Sequence, residues 1–242
     1  LSRRQQKLKS FLYGFLPPMF ILGCCVGIIL LQPDLGTAIA VTLVVFIMFF
    51  IAGIKLIHII PVIISSLPAL YILVFNVAYR RKRILAFLNP WEDPKGIGFQ
   101  IIQSFIALGS GGLFGVGLGK SRQKLLYLPA AHTDFIFSII GEELGFIGCA
   151  FVILLFVVFI LCVAKIIINS PDQFGQLLGV GIVSMLALEV IINIGAATGS
   201  IPTKGLPLPF ISYGGSSLVF NLASVALLLN ISRAKLKSVE AS

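Results

Sequence analysis

Six stretches of this chain are apolar for long enough to cross a bilayer, and short polar links separate them. They run over about 11–31, 35–53, 56–79, 136–165, 175–198 and 215–232. A helix needs about 20 apolar residues to span the hydrocarbon core, and each stretch lies near that length. Gln32-Pro33-Asp34 divides the first two, and Gly53-Ile54-Lys55 the second and third. None alternates apolar and polar positions as a strand would, which argues against a membrane β-barrel. The pattern predicts an all-α integral membrane protein: a polytopic bundle of six transmembrane helices forming a single membrane domain over 1–242. One long non-spanning region remains, about residues 80–135, and 166–174 and 199–214 are shorter links.

Composition agrees. The chain is 58% hydrophobic and 11% charged, with a mean hydropathy of +1.07, more apolar surface than a soluble domain can hide. Cys24, Cys25, Cys149 and Cys162 all fall inside apolar runs without metal-ligand or redox spacing, and read as packing residues. The net charge of +9 is carried by residues that flank spans. It therefore points to anionic lipid, or an anionic substrate at the membrane surface, and not to nucleic acid. The chain opens on Leu1 in a basic stretch, with no start Met, so a fragment or a processed piece is expected.

Charge also sets orientation. Arg3, Arg4, Lys7 and Lys9 precede the first span, and Arg233, Lys235 and Lys237 follow the last. Six spans place both tails on one side, and their basic character makes that side the cytoplasm. Region 80–135 then faces outward, although it holds Arg80, Arg81, Lys82, Arg83, Lys95, Lys120, Arg122 and Lys124. Either one span is miscounted, 101–118 being apolar enough to tempt although its Gly-rich end looks like a re-entrant or interfacial piece, or the outer cluster binds something anionic. The even count and basic tails favour the second.

Several motifs carry candidate chemistry. "GSGGLFGVGLGKS" (109–121) imitates a phosphate-binding loop, but Phe114 stands where the first Gly is needed and no strand precedes it, so it reads as a glycine-rich hinge at the membrane surface. The pairs Gly23/Gly27, Gly141/Gly145, Gly175/Gly179 and Gly195/Gly199 suit close helix packing. Asp34, after a Pro and before a helix start, reads as an N-cap. Glu142, Glu143 and Glu189 lie inside spans, where a carboxylate faces a partner or a wet cavity; Lys204 and the 80–83 cluster are the candidate partners. On a continuous helix Glu142 and Gly145 would share a face with Asp134. "RRKRILAFLNPWEDP" (80–94) sets four cations beside an amphipathic piece, fit for headgroup anchoring or phosphate recognition. "IPTKGLPLPFISYGGSS" (201–217) is too rich in Pro and Gly for a helix. It brings Lys204 to a place where irregular backbone survives only against protein or water. Ser216 and Ser217 follow at a helix start, where open N–H groups can hold an anion.

The stretches "QPDLGTA", "FLNPWEDPKGIGFQIIQS", "LPAAHTDFIFSIIGEELG" and "PTKGLPLPFISYGGSS", in this order and spacing, resemble the SEDS family (shape, elongation, division, sporulation), whose members include FtsW, RodA and SpoVE. The resemblance runs from about residue 30 to 232, and the wording is nearer the division and sporulation branch. It implies ten membrane helices with both ends cytoplasmic, of which this chain supplies the last six. It also implies a large extracytoplasmic loop, matching 80–135, with short amphipathic or re-entrant helices.

The activity the resemblance implies is that of a peptidoglycan glycosyltransferase of the bacterial cytoplasmic membrane, serving cell division or sporulation. It would polymerise lipid II, an undecaprenyl-pyrophosphoryl disaccharide-peptide, into β-1,4 glycan strands at the outer face. The family's essential aspartate falls on Asp134 and its loop lysine on Lys204. Leu126 stands where some members carry Glu, and Glu189 where a Gln is expected, so neither receives a family role. The chemistry wants a base for a sugar hydroxyl and fixed cations for a departing pyrophosphate. Asp134 is the expected base, with His132 and Thr133 orienting it. Lys204, Arg81, Arg83, Ser216 and Ser217 are the expected substrate contacts, and Glu142 and Glu143 the supporting acids. No metal ligands are assigned; a divalent cation, magnesium or manganese, is the one cofactor left open. Expected partners are lipid II, a class B penicillin-binding transpeptidase, other division proteins and the membrane. A lipid II flippase and a division scaffold are the alternatives.

Overall fold

A computed structural model describes residues 11–123 and 132–240, with side chains as far as Arg233. The basic N-terminal flank, Lys124, Leu126 and the stretch 127–131 lie outside the described residues. The secondary structure described is helical. A π-helical turn, Phe11–Phe15, leads into α1 (Leu16–Leu31), which carries Pro at its start, where a missing N–H costs nothing. There follow α2 (Leu35–Ile51), α3 (Leu56–Phe75), α4 (Ala78–Leu88), a 3-10 turn Pro90–Glu92, α5 (Phe99–Gly111), α6 (Ile136–Ile168), α7 (Gln173–Ala197) and α8 (Gly215–Glu240).

Among the described residues, five spans are long and apolar enough to cross a membrane: Phe11–Leu31, Leu56–Phe75, Ile136–Ile168, Gln173–Ala197 and Gly215–Arg233. With 17 residues, α2 is a further apolar helix; it is at the short end of what a bilayer core demands. Their outward side chains, such as Phe20, Phe50, Leu161 and Phe220, are largely exposed, as lipid-facing surface must be. The protein is a multi-pass membrane protein.

The helices divide into two units. The first comprises residues 1–73, 161–185 and 224–242. Its core gathers Phe15, Phe49, Ala52, Ile54, Ile59 and Leu177, with Phe15 and Phe49 edge to face at 5.6 Å. Asp34 caps α2, accepting from Thr37 N at 2.9 Å. The second unit comprises residues 74–160 and 186–223. Its core gathers Phe137, Cys149, Val190, Ala197 and Leu208. Fully buried Ser104 on α5 pairs with Ser138 on α6 at 2.6 Å and donates to Ala197 O on α7 at 2.6 Å, joining three helices.

Three expectations are corrected. The third span ends at Phe75, short of the expected residue 79, while the basic residues 80–83 lie outside it, as expected, on a helix of their own, α4. Gly23 and Gly27 do not mark a close approach, since a Cβ at either would meet nothing within 4 Å. The third concerns α6, which is broken at Gly145 (φ 69°, ψ −165°), so Asp134, Glu142 and Gly145 do not share one continuous helical face. Into the break fits the loop after α5. Val116 N and Gly117 N donate to Glu142 O and Glu143 O; Phe146 N and Ile147 N donate to Gly112 O and Leu113 O, all within 2.9–3.2 Å. The carbonyls and amides that the break strands are thus satisfied by another segment, as burial requires. The glycine-rich stretch expected to be a hinge is therefore stitched to α6.

Candidate functional site

The site is built in the second unit, around the turn that precedes α6. Asp134 stands two residues before the first helical residue, Ile136, half-buried. Burial raises its pKa above the ordinary carboxylate value; a hydrogen bond from Thr133 and the positive charge of Arg83 oppose that rise. The Thr133 side chain thus steadies the acid, whereas the His132 side chain is exposed.

Of the 80–83 cluster, the structure brings Arg83 to the acid. It is half-buried on α4, donates from a guanidinium nitrogen to Thr203 O at 3.3 Å and lies 4.5 Å from the Tyr79 ring centroid. Arg81 is exposed. The Pro- and Gly-rich link keeps its irregular backbone between α7 and α8, as its composition requires. Gly205 lies against the acid: a Cβ there would come 2.9 Å from Asp134 Oδ2. Lys204, beside it, is half-buried and within electrostatic reach of Glu189 on α7. The intramembrane acid Glu189 therefore has one of its two expected cations as a neighbour.

Glu142 is held by other donors. It is buried and accepts from the Ser121 hydroxyl and, at 3.0 Å, from Arg122 N. Its supporting role is to hold the end of the glycine-rich loop. Glu143 follows it on α6 with its carbonyl bonded to Gly117 N. Ser216 is exposed at the start of α8, and Ser217 engages Asn221 of the same helix at 3.5 Å. Among the described residues, no three His, Cys, Asp or Glu side chains come together as a metal ligand set.

Two residues at the site were not expected from sequence, Asn193 and Ser212. Asn193, on α7, donates to Asp134 O at 2.9 Å and Leu206 O at 2.8 Å. Ser212 donates to Thr133 O at 2.6 Å and accepts from Leu208 N at 2.7 Å. The signal for Asn193 was present: a lone amide within an apolar run, at membrane depth, four residues after the Glu189 that drew the attention. Ser212 carried none that separates it from other loop serines.

A carboxylate, an arginine and a lysine-bearing irregular segment, gathered at the mouth of a membrane span, define a polytopic membrane protein equipped for polar chemistry at the lipid–water boundary. The chain belongs to the cell cycle protein family of FtsW, RodA and SpoVE, whose model matches residues 1–237. It is 50% identical over 232 residues to a probable peptidoglycan glycosyltransferase FtsW of Geobacter sp. (strain M18), covering 96% of this chain and 63% of that one. It is 50% identical over 233 residues to stage V sporulation protein E of Bacillus subtilis (strain 168), covering 96% and 64%. The chain thus spans under two thirds of these relatives. Among solved structures, it matches a chain of a peptidoglycan synthase complex studied for coordination of polymerization and crosslinking (TM-score 0.75, 29% identity, 96% of this chain and 66% of that one). It also matches the rod shape determining protein RodA of Thermus thermophilus (TM-score 0.63, 29% identity, 96% and 61%).

Proposed function

We propose that this chain is the catalytic part of a peptidoglycan glycosyltransferase that polymerises lipid II, with Asp134 as its general base. The observation that carries the reading is the placement of Asp134: a half-buried carboxylate at the mouth of α6, faced by Arg83 and by the Gly205 backbone. The family supports the reaction class, and relatives that bear the name peptidoglycan glycosyltransferase support the substrate class.

The acceptor's 4-hydroxyl is a weak nucleophile, and Asp134 takes its proton as the oxygen attacks the donor's anomeric carbon. A carboxyl whose pKa is raised by burial is a better base for that step than an exposed one. The bond from the anomeric carbon to the pyrophosphate oxygen breaks, and undecaprenyl pyrophosphate leaves with its electron pair. Direct displacement inverts an α-linked donor into a β-1,4 product. Lys204 and Arg83 stabilise the departing charge, with Arg81 on the exposed side of α4 meeting the phosphates of the incoming lipid. Both termini face the cytoplasm and the site faces outward, where a transpeptidase partner crosslinks the product. The similarity to a chain of a synthase complex that couples polymerization to crosslinking supports that pairing.

The test uses a chain as long as its relatives, purified with its transpeptidase partner and supplied with labelled lipid II. Glycan strands from the parent and none from a folded Asp134→Ala variant are expected. Polymer from both removes Asp134 from the chemistry. Polymer from neither, with the parent moving lipid II across vesicles, overturns the polymerase in favour of a transporter.

A further inference from the structure

The turn that carries the acid presents three consecutive carbonyls, and each is held by a different donor. His132 O accepts from Tyr213 N at 2.9 Å, Thr133 O from Ser212 Oγ at 2.6 Å, and Asp134 O from Asn193 Nδ2 at 2.9 Å. The first two donors belong to the irregular segment. The third comes from α7, from a residue with no exposed surface. The other proton of the same nitrogen goes to Leu206 O at 2.8 Å. One planar amide therefore spans the backbone of Asp134 and the backbone beside Gly205, which itself lies against the carboxylate.

The same side chain has a second, opposite feature. Asn193 Oδ1 is buried with no hydrogen-bond partner among the described residues. A buried acceptor left unmatched is a standing cost that a leucine of similar volume would not incur. Packing alone therefore does not account for an amide here. What the position uses is the pair of protons on Nδ2, and these fix the distance between two stretches of backbone.

We propose that Asn193 is a positioning residue for Asp134: its amide locks the acid-bearing turn to the Thr203–Leu206 segment and so sets the direction from which the carboxylate meets an acceptor hydroxyl. The acceptor rests on the polymerase reading; the locking of the carboxylate does not. The groups acting on the Asp134 carboxylate are Thr133 from its own turn, through a hydrogen bond, and Arg83 from α4, through its charge; Lys204 of the irregular segment acts on Glu189 of α7, and the His132 side chain is exposed. With the lock removed, the turn moves outward, Asp134 gains water, and the burial that raises its pKa weakens.

Two variants in the full chain with its partner test this. Asn193→Leu removes both donors and the orphan acceptor; Asn193→Asp keeps the shape and sets oxygen against both carbonyls. Both should lower kcat for lipid II by about 100-fold, the loss that a misplacement of about 1 Å produces, with KM little changed. For Asn193→Leu, which adds no charge, the acidic limb of the pH–rate profile should move to lower pH. A second readout is independent of activity. In a chain lacking Cys24, Cys25, Cys149 and Cys162, an Asp134→Cys thiol should react faster with a small maleimide when Asn193→Leu is added. An unmoved pH profile together with an unmoved labelling rate, with only the yield of folded protein reduced, overturns the proposal. If the parent makes no polymer, the polymerase reading falls, and the labelling ratio alone upholds or overturns the locking.

Discussion

Replacing Gly145 by alanine tests whether the stitched break in α6 is the frame on which the site stands. Gly145 lies at φ 69° and ψ −165°, a region essentially closed to residues with a Cβ, and holding alanine there costs about 1–3 kcal/mol. The added Cβ would also overlap Gly115 N and come 2.5 Å from Leu113 O, so the loop must back away from the helix. Four backbone hydrogen bonds cross that junction: Val116 and Gly117 onto Glu142 and Glu143, and Phe146 and Ile147 onto Gly112 and Leu113. Each contributes about 0.5–1.5 kcal/mol net, so losing two adds about 1–3 kcal/mol. The total, about 2–6 kcal/mol, corresponds to a fall in melting temperature on the order of 10 °C at about 2–4 °C per kcal/mol for a chain of this size. Gly109→Ala in α5 is the control, because its Cβ meets nothing within 4 Å; removing a helical glycine there should stabilise by up to about 0.5–1 kcal/mol. The assay is thermal melting of the purified protein in a single detergent, followed by the monodisperse fraction. Gly145→Ala melting with the parent, or Gly109→Ala falling with Gly145→Ala, would refute the reasoning.

Three further outcomes follow from the same contacts. Arg83→Gln removes the positive charge that holds the Asp134 pKa down; that pKa rises further, the base form is lost at higher pH, and the acidic limb of the pH–rate profile should move upward, which pH-dependent polymerisation rates would show. Glu142→Ala removes the acceptor that Ser121 and Arg122 N share and should cost about 1–3 kcal/mol in all; Glu142→Gln should lie between it and the parent in detergent melts. Asp34→Ala removes the cap on Thr37 N and should cost about 1 kcal/mol, read in the same melts.

The spans were legible because apolar length is a one-dimensional property: each of the six expected stretches holds one described apolar helix, though the third ends at Phe75 and α2 is short, and the Asp34 cap is written in its Pro-Asp-Leu context. What was not legible involves segments distant in sequence. That α6 breaks at Gly145 depends on residues 111–117 arriving to accept and donate at the gap, and neither segment alone reveals this. The glycines were visible as a group, but only the fold separates Gly111, Gly115 and Gly145, where a Cβ would meet backbone, from Gly23 and Gly27, where it would meet nothing. At the site, Asp134 and Lys204 stood out as charges at the edge of apolar runs, and the motif resemblance supplied their roles. Asn193 was missed because an amide in an apolar run gives no hint of which carbonyls it serves.

The two carboxylates at the head of α6 explain how one short stretch holds both a frame and a reactive group. Glu142 is buried, and its two oxygens accept from a hydroxyl and a backbone N–H of the same loop end; a buried polar group so matched serves to anchor its donors. Asp134, eight residues earlier, is only half-buried, and it is the backbone around it that is tied down, through the carbonyls of His132, Thr133 and Asp134. Holding an acid by its main chain leaves its side chain to the Thr133 hydroxyl, to Arg83 and to whatever enters beside Gly205. Of the positive charges on the 80–83 helix, Arg83 then has a local reason. Arg83 opposes the rise in pKa that burial imposes on Asp134, and without that cation a carboxylate at the lip of a membrane span would be driven toward its protonated form.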